Sequence, residues 1–262
     1  MTPQEKYNFD VRGYLLIEDA IEPGYLKAMN GRLDVWEQKA LEKRSLPAKR
    51  SHNPNNVCFF EILNEESLFL DVVTNPKILP YVDAMVHRPM LEQFAACFRW
   101  KGGITGVHAG HTPYQAINSY QVSEGRIYNN HLRVVYAMKD IGHGEGGIQV
   151  IPGTHKSNFR WEGSIHLQEM SPSVRELFVE LPMKAGSALL FTHDVLHASV
   201  NESEKVRRLL HTAYNYGLFS RGWLADHADY ERLFDEAPEG TWLKYLLRRP
   251  EYMDVIPKPE LT

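Results

Sequence analysis

The sequence predicts a mainly β domain, an antiparallel sandwich or barrel and most specifically a jelly roll, with helices at both ends. Three observations carry that expectation. From about Met90 the chain breaks into short β-rich runs separated by glycine: LEQFAACFRW, ITGVHAG, NHLRVVYAMKDI, GGIQVIPG, FVELPM, SALLFT, ASVN and RRLLHTAYNYG. Roughly seven or eight strands at regular spacing are the mark of an all-β core. The texture on either side is helical, and the length of 262 residues suits one large β-rich domain. The chain is therefore expected to be a single domain over 1–262, with a helical flank at 1–89, a jelly-roll core at 90–222 and a helical tail at 223–262.

Taken in order, the flank opens with helical sequence and one short strand, YLLIE at Tyr14 to Glu18, closed by the turn-like Glu22-Pro23-Gly24. Leu26, Met29, Leu33 and Trp36 then recur at helical spacing and predict an amphipathic helix. Ser45 to Asn56 is polar and basic, contains Pro47 and Pro54 and has no period, so a loop is expected there. Asn75-Pro76-Lys77 opens a short helix with Ile78, Leu79, Val82 and Met85 on one face. After the β-rich runs, LFDEAPEGTWLKYLL is the best helix of the tail.

Apolar residues at 43% and charged ones at 24% exclude disorder as the main state. A net charge of −4 argues against nucleic acid as the main partner and leaves a small molecule or a protein. Cys58 and Cys97 sit in apolar runs and read as buried free thiols, too few for a disulfide framework or a cysteine zinc site. No run approaches about 18 apolar residues, and MTPQEKYNFD lacks the regions of a signal peptide, so a cytoplasmic location without membrane attachment is expected.

Among twelve histidines, His108, at the end of ITGV, and His197, within LLFTHDVLHASVN, stand out. Two imidazoles far apart in sequence, each on a strand of a small barrel, can meet across its mouth. His193 shares a strand face with His197, but four strand residues separate them by about 13 Å at ~3.3 Å per residue, too far for one metal unless the strand breaks between them. Substituting His193 is accordingly expected to be mild.

The segments NFDVRGYLLIEDAIEPGYL, GEGGIQVIPGTHKSNF and AGSALLFTHDVLHASVN with the following arginines together resemble the phytanoyl-CoA dioxygenase family of iron(II)/2-oxoglutarate oxygenases. NFDVRGYLLIEDAIEPGYL is similar to the family's Phe-x-x-x-Gly-Tyr opening, and GEGGIQVIPGTHKSNF to its Pro-Gly-Ser-His-Lys segment, with Thr154 in the serine place. AGSALLFTHDVLHASVN with the following Val206-Arg207-Arg208 resembles the stretch that supplies a metal histidine and a co-substrate arginine. The resemblance implies a double-stranded β-helix, a cupin-like jelly roll, binding Fe(II), 2-oxoglutarate and O2. It makes His108 and His197 the metal histidines of an oxidoreductase acting on an unactivated C–H bond.

One departure matters. The family's metal carboxylate stands two residues after the first histidine, where this chain has Gly110. Three readings follow: chloride or another anion fills the place, as the resemblance to His-x-Gly and His-x-Ala halogenases implies; water, His111 or Asp194 fills it and the enzyme is a hydroxylase; or the protein is a non-catalytic binding module. For the co-substrate carboxylate the candidates are Arg207 and Arg208, only one of which can enter the barrel. Counting from His197 on the family pattern favours Arg208, but a loop one residue short favours Arg207, and Arg207 is preferred. Ser199 is expected to add a hydroxyl. His155 is expected to be structural, Gln149 to point inward, and Asn118, Tyr120 and Tyr136 to lie near the mouth. The basic cluster Lys43, Arg44, Lys49 and Arg50 reads as a solvated loop that could greet an anionic or carrier-linked substrate.

Overall fold

The computed structural model describes residues 1–44, 54–110, 120–159, 161–216, 230–249 and 255–261. Two antiparallel sheets face each other. Twelve strands are described: β1 (Tyr14–Ile17), β2 (Asn56–Phe59), β3 (Pro89–Arg99), β4 (Ile104–His108), β5 (Gln121–Ser123), β6 (Arg126–Tyr128), β7 (His131–Ala137), β8 (Ile148–Ile151), β9 (Val179–Leu181), β10 (Ala188–Thr192), β11 (Leu196–Val200) and β12 (Arg207–Tyr216). The larger sheet runs β1-β10-β7-β12-β3-β2, the smaller β4-β11-β8-β9, and β5-β6 form a separate ribbon. This is the jelly roll with helical flanks. The flank is not wholly helical, because β1 and β2 both join the large sheet.

Strand alternation sorts the side chains into three layers. On β7, Leu132, Val134 and Tyr136 pack outward against the helical cover, while Val135 and Ala137 face the smaller sheet. On β10, Ala188 and Leu190 face the cover and Leu189 and Phe191 face inward. The cover is built mainly by α1 (Pro3–Arg12), α2 (Pro23–Arg44) and the helix Leu79–Met85. Met29, Leu33 and Trp36 of α2, and Ile78, Leu79, Val82 and Met85, are all buried there, as their spacing predicts. The outer face of the small sheet has its own patch, Val107, Leu167, Phe178, Leu196, Ala198 and Val200.

Four expectations are corrected. The tail helix is two, Tyr230–Glu236 and Trp242–Leu247. Pro238 has no N–H to continue the first, and Gly240, at φ 75°, lies in the turn between the two, where Thr241 N donates to the Pro238 carbonyl at 3.4 Å. Asn56 to Phe59, partly assigned to a loop, is a strand. It places Cys58 directly opposite Cys97 on β3, their Cα atoms 4.2 Å apart, and the two form a disulfide rather than free thiols. Tyr136 is a core residue facing the helices, its hydroxyl donating to the Val72 carbonyl at 3.3 Å.

Candidate metal and co-substrate site

The site lies between the sheets and is built from cross-strand pairs. His197 on β11 is directly opposite His108 on β4, and Ser199 is opposite Thr105. The two imidazoles are thus nearest neighbours on adjacent strands, not groups meeting across a mouth, and their ring centroids are 4.1 Å apart. Each is aimed by a backbone carbonyl. His108 Nδ1 lies 2.8 Å from the Gly106 oxygen and His197 Nδ1 2.8 Å from the Val195 oxygen. Each Nδ1 therefore carries the proton and donates it, so each Nε2 keeps its lone pair, the arrangement that orients metal-binding histidines.

His193 joins them, contrary to the expectation from strand spacing. β10 ends at Thr192 and β11 begins at Leu196, and the chain turns sharply between them, with Val195 N donating to the Thr192 oxygen at 3.1 Å. The strand breaks where the 13 Å argument assumed that it ran on. The His193 ring stands 5.6 Å from that of His108 and 5.4 Å from that of His197. One nitrogen from each of the three lies within 4.8 Å of the others, a set that could hold a metal. Burial holds the His193 and His197 rings well below the ordinary histidine range, and the Arg133 guanidinium nearby pushes both the same way. Both are therefore neutral at pH 7, the form that coordinates a metal.

Beyond the imidazoles a cavity of about 160 Å³ extends between the sheets, lined among others by Arg99, Thr105, Arg133, Ser199, Arg207 and His211. Arg207 and Arg99 are cross-strand partners on β12 and β3, so both guanidiniums point into it. Arg207 donates to the Gly146 carbonyl at 2.9 Å, while its Nε is buried without a partner. Arg99 donates to the hydroxyls of Ser199 and Thr105 and, at 3.2 Å, to Asn56. Among the described residues neither guanidinium pairs with a carboxylate, and no acidic residue lines the cavity. Burial works against both charges: it brings Arg99 down to about 9 and Arg207 well below its usual value, with Arg99 adding repulsion to Arg207. Such a pocket suits an anion that supplies the missing counter-charge.

Arg208 does not line this cavity. Its side chain leaves the opposite face of β12 and pairs with Asp34 and Glu37 of α2, both at 2.6 Å. Arg99 was missed because every residue of β3 is buried, so the strand shows no alternation from which an inward face can be read. A second cavity, of about 260 Å³, adjoins the imidazoles and is lined by Glu92, Gln93, His108, Ala109, His131, Arg133 and His193. In it Glu92 and His131 pair at 3.0 Å, both buried.

Other expected residues fall elsewhere. Ile148 and Val150 of β8 face the inner core, so Gln149 between them points away from the cavity. Tyr120 is buried near α1, its hydroxyl donating to Asp10 at 2.9 Å and its N–H to Asp194 Oδ2 at 2.9 Å. His155 is buried, with Nε2 donating to the Asp10 carbonyl at 3.0 Å, away from the imidazole cluster. Lys43 lies over the Phe59 ring. His111, Asn118, Lys49 and Arg50 lie outside the described residues, as does the Arg44 side chain.

The phytanoyl-CoA dioxygenase (PhyH) family matches residues 9–209, more than half of the chain. The chain belongs to the phytanoyl-CoA dioxygenase family. It is thus an enzyme of the iron(II)/2-oxoglutarate-dependent oxygenase class. Among solved structures it is similar to HygX from Streptomyces hygroscopicus with nickel and 2-oxoglutarate bound, at 17% identity and TM-score 0.70, over 84% of this chain and 89% of that one. It is also similar to SnoN, a non-heme alpha ketoglutarate dependent epimerase from nogalamycin biosynthesis, at 12% identity and TM-score 0.57, over 82% of each chain. At these identities the likeness establishes the fold. No curated protein sequence matches the chain. No helix among the described residues is long and apolar enough to cross a membrane.

Proposed function

We propose that the protein is an iron(II)/2-oxoglutarate-dependent oxygenase that oxidises a C–H bond of a polar small molecule. The observation that supports it is the polarity of one buried cavity. At one end imidazoles present free Nε2 atoms aimed by backbone carbonyls; at the other, two guanidiniums have no carboxylate partner among the described residues. A keto acid with a second carboxylate spans such a pair of ends. The donor set fits iron, since imidazole is a common iron ligand and the buried rings are neutral. His108 and His197 would hold the metal, and Arg207 with Ser199 would hold the distal carboxylate of 2-oxoglutarate. When bound, iron and 2-oxoglutarate would supply the chemistry for using O2, one oxygen atom ending in the succinate that forms as the keto acid loses CO2 and the other in the hydroxylated substrate.

The protein's own groups do the positioning. Gly106 and Val195 carbonyls fix the two rings, Arg207 fixes the distant end of the co-substrate, and the second cavity places the substrate beside the same imidazoles. Its lining of Glu92, Gln93, His131 and Arg133 favours a polar substrate. HygX has been captured with hygromycin B bound, a precedent for a small molecule on this fold.

Transfer of a halide instead of oxygen is the second reading, and Gly110 is the observation that favours it. The surroundings of Gly110 count against it, because the space where its side chain would stand already holds the His193 ring. An anaerobic absorbance titration with Fe(II) and 2-oxoglutarate tests the oxygenase reading. A metal-to-ligand band that needs both components is expected, and its failure to appear would overturn the proposal. Once a substrate is in hand, product mass in chloride-containing and chloride-free buffer decides the group transferred. An oxygenated product of equal yield in both is expected.

A further inference from the structure

We propose that His193 is the third protein ligand of the metal, taking the place of the carboxylate that Gly110 cannot supply, so that the centre is held by three histidines. The inference rests on the reading of the site as a metal centre and adds to it the identity of its third ligand.

Two observations and one chemical argument converge on it. The first is steric. Gly110 N donates to the His193 carbonyl at 2.7 Å, which clamps the end of β4 against the corner between β10 and β11. A Cβ built on Gly110 would stand 2.7 Å from His193 Nδ1, closer than side chains approach, and at the tight distances of 3.1 Å from Asp194 Oδ1 and 3.2 Å from His193 Cγ. A carboxylate at position 110 and the present His193 ring therefore exclude one another, and the glycine is what lets the ring in.

The second is an orphan atom. His193 is 7% exposed, and its Nδ1 is buried without a hydrogen-bond partner. A buried polar atom left unsatisfied is destabilising. The same ring contributes a nitrogen to the only three-residue group of possible metal ligands among the described residues. A ring that is buried, short of partners and clustered with two others is accounted for by a shared ion.

The third is the number of coordination places. A six-coordinate iron with three imidazole nitrogens and two oxygens of a chelating keto acid keeps one place, which oxygen needs. No place remains for a halide. Three neutral imidazoles also leave Fe²⁺ with its two charges, which a dianionic co-substrate balances without chloride.

The test is a ligand swap read by metal binding, with Co(II) as an oxygen-stable probe. Wild-type protein, His193→Ala, His193→Asn, Gly110→Asp and the double variant Gly110→Asp/His193→Ala are titrated without oxygen, with folding monitored by circular dichroism. Loss of His193 is expected to weaken Co(II) binding by more than the ~10–100-fold that follows loss of an outer-sphere partner, and to alter the cobalt d–d bands. Gly110→Asp alone should bind Co(II) poorly, because its side chain meets the His193 ring. The double variant should bind Co(II) more tightly than Gly110→Asp alone, since removing the ring opens the place for the carboxylate while Asp194 Oδ1, 3.1 Å from a Cβ at this position, still crowds it. Wild-type cobalt bands should be unchanged by chloride. Folded His193→Ala or His193→Asn protein that binds Co(II) like the wild type, with unchanged bands, would overturn the inference while leaving the metal site in place. If the wild type itself binds no Co(II), the metal reading fails with it. Should His193→Ala not fold, His193→Asn and the double variant decide.

Discussion

Arg99 and Arg207 stand opposite one another on β3 and β12 and point into the same cavity. Like charges at directly paired strand positions repel, and among the described residues no acidic side chain lines the cavity to offset them. Replacing either by methionine, which keeps an apolar stem and removes the charge, should have opposite effects on the empty and the occupied protein. In the absence of ligand, both variants should melt at or above the wild-type temperature, because an uncompensated buried cation has been removed. With 2-oxoglutarate present the order should reverse. Removing one partner of a buried ion pair costs about 3–5 kcal/mol, which at ~1.4 kcal/mol per tenfold is roughly a hundred- to several-thousand-fold loss of affinity for Arg207→Met. Arg99 also donates to Ser199 and Thr105. Its share should be that of one charged hydrogen bond, about 1.5–3 kcal/mol, or roughly ten- to a hundredfold. The assay is a metal-free thermal shift with 2-oxoglutarate. At a hundred times its dissociation constant the wild type should gain about 2.7 kcal/mol, roughly 5–10 °C for a chain of this size. The reasoning is refuted if the variants melt lower than wild type when empty and still respond fully to 2-oxoglutarate.

His108→Ala or His197→Ala should abolish iron-dependent consumption of 2-oxoglutarate, measured as succinate release; turnover retained in either removes that residue from the metal set. Arg208→Ala should leave 2-oxoglutarate binding unchanged and lower stability by on the order of 1 kcal/mol in urea unfolding, since Asp34, one of its partners, is largely exposed. Burial brings His155 down to about 4, so an unfolded chain takes up the proton first as pH falls from 6.5 toward 4. Stability should therefore fall by up to about 3 kcal/mol through that window, and His155→Gln should flatten the slope in pH-dependent unfolding. Gly13 takes φ 82°, and a Cβ there would lie 2.7 Å from His155 Nδ1. Gly13→Ala should cost about 1–3 kcal/mol in the same measurement.

The β core was readable because glycine-bounded runs mark strands whatever they pair with, and the α2 and Ile78–Met85 stripes because each helix buries a single face. What escaped depended on chain direction or on pairing. His193 was set aside by a distance argument sound for a continuous strand and void at a corner between two sheets. Arg99 was invisible because β3 is covered on both faces. The Cys58–Cys97 bond needed the register of a strand whose polar start, Asn56, looked like the end of a loop. Gln149 and Tyr136 illustrate the converse, since alternation showed that one of two faces was theirs and only the packing showed which.

The neighbouring arginines of β12 have a consequence for how the chain tolerates insertions. Arg207 serves the cavity and Arg208 serves α2, so a slip of one residue would bury Arg208 in the cavity and turn Arg207 toward Asp34 and Glu37. The strand is held against such a slip on both edges, by β3 and by β7. The connection before it is closed upon itself: Asn201 Nδ2 donates to the Lys205 carbonyl, Ser203 N to Asn201 Oδ1 and Lys205 N to Ser203 Oγ. A residue gained or lost between Asn201 and Val206 can therefore be absorbed in that loop while β12 stays in place. Distance along the chain from His197 is then a poor guide to which arginine meets the ligand, and the face of the strand is the quantity that stays constant.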